Sequence, residues 1–369
     1  MTTNSSSADA VSYPFADYPA PGTVTEVADG ILWASTPVPF VGLRQVNMWF
    51  VRDGAGWAQI DCGYGWPQTR DMLESIWGSA LGGRRVTRLI ATHFHPDHAG
   101  NMAWIAERWG GLLPLTSLGE WFAANLAVQD KYSDDMEQRA IWHRLHGLDE
   151  ERQAAFMRDV VIYSDGVRLP ASFKRVREHD VVTIGTDRWQ VFIGQGHSPE
   201  HVSLYCAERR ILIAGDQILP GITTNVSTWP MEPQADTLHA FLETGRKFLS
   251  ALDADTLVLP SHRKPFLNVH GRLRELARHH ADRLNLILEV STAETSAGAL
   301  LEPLFSAKLD GHQIGFAMGE VIAHLNYLVE IGRMTRVVSK TRQPDGTPDR
   351  SWRYAKVVGN PSPVAPHFK

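Results

Sequence analysis

The chain has 369 residues, 43% of them hydrophobic and 21% charged, with a formal net charge of −5 at pH 7. This composition is typical of a globular protein with a sizeable core and two domains, and its mild acidity disfavours a protein devoted to nucleic acid. No stretch reaches the roughly 20 apolar residues that a membrane helix needs, and two cysteines are too few for a disulfide framework. Sixteen histidines are the unusual feature.

The first part of the chain predicts a tail followed by strands. Residues 1–23 are rich in Ser, Ala and Pro and lack the basic and apolar segments of an export signal, so we expect a flexible tail and a cytoplasmic protein. Runs of branched and aromatic residues bounded by turn residues then predict strands over 30–34, 46–51 and 57–61.

The middle of the chain alternates between helical and strand patterns. Pro67 opens a predicted helix to residue 77, a buried strand is predicted over 86–91, and a helical stretch follows from Asn101. A long insertion occupies about 118–161. Later strands are predicted over 181–184, 189–194, 211–214 and 256–259. Strands on both sides of helices predict two layered halves with sheets inside, an α/β architecture.

From residue 268 the pattern becomes helical. An Arg-rich helix is predicted over 270–290, and the capping-box pattern from Ser291 to Glu294 predicts the start of a second helix. Apolar residues at helical spacing around Leu325 predict a third helix, which Gly332 ends. Two strands, 334–338 and 352–358, flank the Pro-Asp-Gly turn at Pro344. Three helices and a hairpin predict a winged-helix-like domain over 268–369.

Three imidazoles and a carboxylate lie within six residues, directly after the apolar strand that ends at residue 91. They are His93, His95, Asp97 and His98. Imidazole and carboxylate are the ligands that zinc and similar divalent ions prefer. Packed this closely, the four groups would repel as cations or lose solvation unless an ion occupied the space between them. The alternative interpretation is a polar loop with solvated histidines.

Three further candidate ligands, His197, Asp216 and His262, each follow an apolar strand by two or three residues. Loops at strand ends commonly gather to form functional sites. A single His or Asp at a strand end is usually a cap or a surface residue, but three in succession favour one shared metal site.

These residues resemble the metallo-β-lactamase superfamily over about residues 24–267. The family's HxHxDH motif matches His93, His95, Asp97 and His98, and its later His, Asp and His match His197, Asp216 and His262. The resemblance implies an αββα sandwich. It implies one ion bound by His93, His95 and His197, another bound by Asp97, His98 and His262, and Asp216 bridging the two. Asp61 matches a carboxylate that orients a ligand histidine, and His201 is a candidate neighbour of the ligands.

The resemblance also implies a hydrolytic mechanism. Two divalent ions, zinc first and manganese or iron as alternatives, would hold a hydroxide that attacks a carbonyl carbon or a phosphorus. Asp97 and His98 are the residues expected to act in catalysis, and Asp97 or a bound water could carry the proton. Cys62 and Cys206 are expected in the core.

Departures from other branches of the superfamily narrow the reaction. His95 stands where flavodiiron oxygen reductases have glutamate, and the presence of both Asp216 and His262 fits a single-iron persulfide dioxygenase poorly. Class B β-lactamases generally lack a bridging aspartate at the position of Asp216. Thioesters, lactones, other esters and phosphodiesters remain as substrate classes.

The helical domain resembles the winged helix that follows the catalytic domain in the β-lactamase-like 2 group, through residues 271–280, 316–329 and 352–354. That group includes a mitochondrial endoribonuclease and fungal thioesterases.

Residues 331–369 contain eight basic and two acidic residues. These basic side chains could contact the phosphates of a nucleic acid. The alternatives are that they form a solvated wing, line the mouth of the catalytic site or take part in a dimer contact. A metal-dependent endoribonuclease or phosphodiesterase is therefore the alternative enzyme. A nucleic-acid-binding protein with a structural metal site is the alternative of another class.

The insertion at about 118–161 carries aromatic and apolar residues at helical spacings, including Trp121, Trp142 and Phe156. Most are expected to pack on the domain. If the insertion covers the metal cleft, its aromatic residues suit an apolar acyl substrate, whereas Arg139, Arg144 and Arg152 suit a phosphate such as that of coenzyme A. The leading prediction is thus a metal-dependent thioester or ester hydrolase acting on a small or acyl substrate. A homodimer through the helical domain stays open.

Overall fold

The computed structural model describes residues 9–40, 42–129, 132–159, 163–291, 294–305, 308–339, 349–357, 359 and 362–368, with the side chains of 132–136 not described. The turn predicted at Pro344 lies outside the described residues, as do the basic residues Lys340 and Arg342. Among the described residues, none of the helices combines enough length with enough apolarity to span a bilayer.

Two sheets form the centre of the molecule. The first has seven strands in chain order: β1 (Thr25–Ala28), β2 (Ile31–Pro37), β3 (Gln45–Asp53), β4 (Gly56–Ile60), β5 (Val86–Ile90), β6 (Leu115–Thr116) and β7 (Lys174–Arg175). Strands β1 to β4 are antiparallel, and β4 to β7 are parallel. The second sheet has the order β12-β11-β10-β9-β8, with β8 (Val181–Ile184), β9 (Asp187–Gly194), β10 (His201–Cys206), β11 (Ile211–Gly215) and β12 (Leu257–Pro260).

The two sheets pack face to face through a shared apolar cluster. Trp33 and Trp49 of the first sheet and Val191, Leu204 and Ile213 of the second belong to it. Strands β2 and β10 are covered on both faces, so nearly every side chain along them is buried, instead of buried and exposed side chains in alternation.

Helices cover the outer faces of both sheets. In chain order they are α1 (Pro67–Gly78), α2 (Pro96–Ala99), α3 (Met102–Arg108), α4 (Leu118–Gln129), α5 (Tyr132–Leu145), α6 (Glu150–Asp159), α7 (Tyr163–Gly166), α8 (Thr237–Ala251), α9 (Val269–Val290), α10 (Ala297–Leu304) and α11 (Gly311–Glu330). Leu73 and Trp77 of α1 pack with Leu89 of β5 on one outer face. Phe241 and Phe248 of α8 pack on the other. The predicted αββα layering is confirmed.

Helices α9, α10 and α11 share one apolar cluster with α8 and the outer face of the second sheet. The insertion joins the same cluster, since Trp142 of α5 and Phe156 of α6 are buried in it. The hairpin β13 (Met334–Val338) and β14 (Trp352–Lys356) is antiparallel, as predicted. The winged-helix likeness and the domain boundary at residue 268 stay predictions.

Three details differ from the sequence predictions. Residues 9–23 are not a free tail: Ser12 pairs with Leu267, and Phe15 and Tyr18 pack on Trp33. Residues 1–8 lie outside the described residues. Ser291 ends α9, so it does not begin the next helix as the capping-box pattern predicted.

That next helix, α10, begins after Ser296, whose side chain accepts a hydrogen bond from the Ala299 amide. Several elements were not predicted at all: the helices α7 and α8 and the strands β1, β6, β7 and β10.

Candidate metal centre

The predicted site residues all lie at one end of the two sheets. Asp61 follows β4, His93 and His95 follow β5, and Asp97 and His98 occupy the short helix α2. His197 follows β9, His201 begins β10, Asp216 follows β11, and His262 follows β12. Each of the nine side chains except His95 is buried. The structure brings all nine together.

Two glycines allow the loops to approach this closely. Gly196 precedes His197 with a φ of +93°, and a Cβ there would lie 2.4 Å from Phe241 Cβ. Gly215 precedes Asp216 with a φ of +55°, and a Cβ there would lie 2.4 Å from the His201 ring. Any larger residue would therefore be both strained and in collision at these positions.

Three imidazoles form the first group of donor atoms. His93 Nε2 lies 2.9 Å from His95 Nδ1 and 3.2 Å from His197 Nε2. Burial, together with the neighbouring histidines, holds the pKa of His93 well below its usual value and lowers that of His95 to about 3. The three rings are therefore neutral at pH 7, with lone pairs available to a cation.

Two carboxylates and two imidazoles form the second group. His262 Nε2 lies 3.3 Å from both Asp97 Oδ2 and Asp216 Oδ2, and His98 Nε2 lies 3.6 Å from Asp97 Oδ2. Although burial opposes the shift, Asp97, Asp216 and Asp61 raise the pKa of His98 to about 9. The carboxylates thus create a place that favours positive charge.

The Asp216 carboxylate lies between the two groups. Its Oδ2 is 3.6 Å from His197 Nε2, and its Oδ1 is 3.7 Å from His98 Nε2. Burial opposes ionisation, but His262 and His98 hold the pKa of Asp216 well below its usual value. Asp216 is therefore an anion that faces both groups of imidazoles.

Unpartnered polar atoms test whether the residues fit a metal. His98 Nε2 and Asp216 Oδ1 are buried without a hydrogen-bond partner among the described residues, yet they face each other. Buried polar atoms are rarely left unpaired, and a cation between them would satisfy both. The donor sets His93–His95–His197 and Asp97–His98–His262 each bring ligand atoms within 4.8 Å of one another. The residues present fit divalent ions.

Neighbouring groups orient the histidines through the nitrogen that does not face the centre. Asp61 Oδ2 lies 2.8 Å from His98 Nδ1, the Asn225 carbonyl 2.8 Å from His197 Nδ1, and the Gln45 carbonyl 2.9 Å from His262 Nδ1. In the neutral ring that a metal ion needs, such contacts keep the proton on this nitrogen, so that the other nitrogen faces the ion.

His201 lies against the centre without adding a donor to it. Its Nε2 accepts a hydrogen bond of 3.0 Å from the Asp216 amide, and its ring centroid is 4.9 Å from that of His93. Burial holds the pKa of His201 well below its usual value, so the ring is neutral. A neutral ring can accept from the Asp216 amide and thereby fix the Asp216 loop.

Glu120, the third residue of α4, is a site residue that the sequence did not reveal. Its carboxylate accepts hydrogen bonds from the Phe94 amide (2.8 Å), the Ser198 hydroxyl (2.6 Å) and the Glu200 amide (2.8 Å). It therefore ties the loop of His93 and His95 to the loop of His197. No pattern signals this role, because its partners lie 26 and about 80 residues away.

A row of aromatic rings borders the centre. Phe40 stacks on His312 of α11 with centroids 5.2 Å apart, and it meets Tyr64 edge-on at 6.0 Å. Trp66 and Phe316 extend the row at its two ends. Burial and then the carboxylates of Asp165 and Asp97 raise the pKa of Tyr64. Both Tyr64 and His312 lie within electrostatic reach of Asp97.

Comparison with known proteins finds the same architecture. A family model described as the metallo-beta-lactamase superfamily matches residues 41–262, and one described as the metallo-beta-lactamase-like C-terminal domain matches 284–355. A β-lactamase domain protein from Burkholderia ambifaria is 37% identical, with a TM-score of 0.85 over 94% of this chain and 98% of that one.

More distant relatives agree with this result. A metallo-β-lactamase family protein from Thermus thermophilus has the same fold, with a TM-score of 0.73 at 24% identity over 90% of this chain and 100% of that one. The acyl-coenzyme A thioesterase MBLAC2 of Homo sapiens is 24% identical over 294 residues, which cover 72% of this chain and 89% of the relative.

Proposed function

The chain belongs to the metallo-β-lactamase superfamily of hydrolases, and we propose that it is a binuclear metal-dependent hydrolase of thioesters or related esters and lactones. The observation that carries the proposal is the convergence of seven imidazole and carboxylate donors, which include two facing atoms without a hydrogen-bond partner among the described residues. The likeness to an acyl-coenzyme A thioesterase supports the substrate class.

In this proposal His93, His95 and His197 would hold one ion, Asp97, His98 and His262 would hold the other, and Asp216 lies between the two groups. When bound, divalent ions of this kind supply a hydroxide at neutral pH and polarise the scissile carbonyl. Zinc suits the donor set best, and manganese or iron are alternatives.

The protein's own groups then position and move the proton. Burial opposes ionisation of Asp97, but His98 and His262 lower its pKa, so it is a carboxylate at pH 7. We assign it to accept the proton of the attacking water and to return it to the leaving thiolate or alkoxide. His98, held by Asp61, keeps that carboxylate in place from 3.6 Å.

The row of Phe40, Tyr64 and His312 supports an apolar acyl group beside the scissile bond. These rings are half-buried or buried and contact one another, which is the lining typical of small-molecule sites. The insertion contributes Glu120 to the surroundings of the centre, and Tyr163 of α7, just after the insertion, donates to the Phe94 carbonyl. Its role as a lid stays a hypothesis, which an unchanged substrate preference after its deletion would contradict.

The basic residues of the hairpin β13–β14 give little support to the alternative function, a phosphodiesterase. Arg336 lies over the Trp352 ring at 4.5 Å and bonds to Asn326, and Arg353 pairs with Asp349. These guanidinium groups already have partners within the chain, so fewer charges are left to contact a phosphate backbone.

The test is a hydrolysis panel on metal-replete protein, with metal content measured. The substrates are acyl-coenzyme A thioesters, lactones, phosphodiesters and single-stranded RNA. We expect the protein to hydrolyse thioesters and the turnover to fall more than about 100-fold in His95→Ala. This loss exceeds the one expected when only a group that orients a metal ligand is removed. The exposed His179→Gln is the matched control. RNA cleavage without thioester turnover would support the alternative enzyme, and undiminished turnover in His95→Ala would contradict the metal mechanism.

A further inference from the structure

We propose that His239, Glu243 and His367 form a separate divalent-cation site that fastens segment 362–368 to helix α8. Each of the three side chains offers a donor atom, and these atoms lie within 4.8 Å of one another. The site belongs to neither of the donor groups at the hydrolytic centre.

Helix geometry brings the first two donors together. His239 and Glu243 are four residues apart in α8, so their side chains lie on one face of the helix. His367 reaches the same face from segment 362–368. Its Nε2 lies 2.5 Å from Glu243 Oε1, and its ring is 5.5 Å from that of His239 at an angle of 88°.

A metal ion fits this arrangement with a small adjustment. Around tetrahedral zinc, with bonds of about 2.0–2.1 Å, two donor atoms stand about 3.3 Å apart. The contact between Glu243 and His367 would therefore open by less than about 1 Å, with the ion in place of the shared proton. The other Glu243 oxygen stays paired with Arg246.

The surroundings carry a negative charge that favours a cation. The carboxylate of Asp236 lies near this cluster: it accepts a hydrogen bond from the His239 amide and interacts electrostatically with His239 and His367. Glu330 in turn interacts electrostatically with Asp236. The carboxylates of Asp236 and Glu243 thus add negative charge around the two imidazoles, although Glu243 is also paired with Arg246. Two imidazoles and a carboxylate suit zinc or a similar transition metal better than calcium or magnesium.

Segment 362–368 is already positioned on both sides of His367. The Val364 amide and carbonyl exchange hydrogen bonds of 2.7 and 2.9 Å with the Asn285 side chain. The Phe368 ring packs so closely on α8 that a Cβ at Gly245 would lie 3.0 Å from it. An ion at His367 would therefore bind residues that the fold has already brought together, and binding would cost little ordering of the chain.

The experiment is a titration of the full chain with Zn²⁺ against a competing chromophoric chelator, after the hydrolytic centre has been loaded. We expect the protein to bind one zinc ion more than the loaded centre holds. His239→Gln, Glu243→Gln and His367→Gln should each weaken that binding at least tenfold. His179→Gln, the replacement of an exposed histidine elsewhere, should leave it unchanged. Circular dichroism verifies that each variant is folded.

Glu243→Gln separates a metal site from a simple hydrogen bond, since glutamine keeps a hydrogen-bonding group at this position but is a poor zinc ligand. Hydrogen exchange of residues 362–368 should slow on addition of zinc in the unsubstituted protein and not in Glu243→Gln. Equal zinc binding in all variants would overturn the proposal, and so would zinc-dependent slowing that persists in Glu243→Gln. Neither measurement depends on the hydrolytic activity.

Discussion

Asp61 links three loops through one carboxylate. It accepts hydrogen bonds from the Thr92 amide (2.8 Å), the Thr92 hydroxyl (3.0 Å) and the Ser261 hydroxyl (3.2 Å) while it holds His98 Nδ1. Its φ of +65° is unusual for a residue other than glycine. Such strain is retained where the surrounding structure fixes the conformation, often at functional sites.

Asp61→Asn should therefore weaken the metal centre while keeping the fold. The amide has the same shape but one acceptor oxygen fewer, so it cannot hold both Thr92 and His98. We expect a loss of about 10- to 100-fold in metal affinity and in kcat/KM, as for other groups that orient a metal-bound histidine. Metal titration and steady-state kinetics measure the effect.

Asp53→Asn is the matched control for Asp61→Asn. Asp53 also ends a strand and accepts bonds from Thr87, Arg88 and the Gly185 amide, but it lies away from the centre. It should change stability and leave metal affinity unchanged. An equal loss of metal affinity in both variants would show that Asp61 acts only through general stability.

Glu120 should behave as a positioning residue for two ligand loops. Glu120→Gln replaces one carboxylate oxygen by an NH2 group, which cannot accept a hydrogen bond. Either the Phe94 amide or the Glu200 amide therefore loses its acceptor, and one of the two ligand loops is no longer held. We expect metal affinity to fall about 10- to 100-fold, which titration with Zn²⁺ measures. Glu200→Gln, which keeps an oxygen for the Gly119 amide, should have a much smaller effect. Equal effects would contradict the assignment.

At the scale of elements, periodicity predicted well wherever one pattern dominated. The α1 helix, the strands β5, β8 and β11, and the long α9 helix begin and end within two residues of their predictions. The αββα layering follows from their order. Four of the seven candidate ligands were predicted from their clustering after one apolar strand and three from their places after later strands. They come together because strand ends meet at one edge of a sandwich.

Other elements were missed for identifiable reasons. Strand β10 begins with His201 and contains Ser203, polar residues buried at the centre, so it lacks an apolar run. Helix α8 does carry apolar residues at helical spacing, such as Leu238, Phe241 and Leu242, and its periodicity could have revealed it. Glu120 could not be found, because only the packing of the insertion brings it to the two loops.

The α10 start shows how a local pattern can mislead. Ser291 and Ser296 are both acceptable caps, but Ser291 ends α9 and Ser296 begins α10, directly after Thr295 pairs with Tyr354. A capping box does occur at α11, where the Asp310 side chain accepts from the Gln313 amide and Gln313 reaches back to the Asp310 amide. This helix carries His312, so its first turn also shapes the aromatic row.

Asp310→Ala should destabilise the protein by about 1 kcal/mol, the usual cost of removing an N-cap acceptor. Asp310→Asn keeps an oxygen at the cap and should cost much less, because asparagine caps nearly as well. Urea denaturation monitored by circular dichroism measures both. If the two variants are equally destabilised, charge near the helix rather than the capping bond explains the effect.

At the scale of the whole molecule, thirteen of the sixteen histidines fall into groups with different environments. Five converge on the proposed metal centre with His201 beside them, and two belong to the proposed cation site on α8. A third group is buried or, for His279, half-buried in the helical half of the molecule, where burial and then nearby charged or titratable groups lower each pKa. It consists of His143, His146, His279, His280 and His324.

These buried histidines should make the protein sensitive to mild acid. The pKa is lowered to about 4 for His143 and His279 and to about 3 for His146 and His324, against about 6.5 in an unfolded chain. Below pH 6.5 the unfolded state therefore binds more protons than the folded state. Stability is fully present above pH 6.5 and falls as pH drops towards 4, by up to about 1.4 kcal/mol per pH unit for each group.

Urea unfolding at pH 7.5, 6.5 and 5.5 should show this fall, and His324→Gln should reduce its slope. His324 Nδ1 lies 2.7 Å from the Glu320 carbonyl and its Nε2 3.2 Å from His280 Nδ1, and glutamine can supply a donor and an acceptor without titrating. The variant should lose less stability between pH 6.5 and 5.5 than the unsubstituted protein, by up to about 1.4 kcal/mol. His179→Gln, at an exposed position, should keep the original slope. Identical slopes in all three proteins would mean that His324 is not held neutral in the folded state, and any acid sensitivity would then come from other groups, such as His143 and His146.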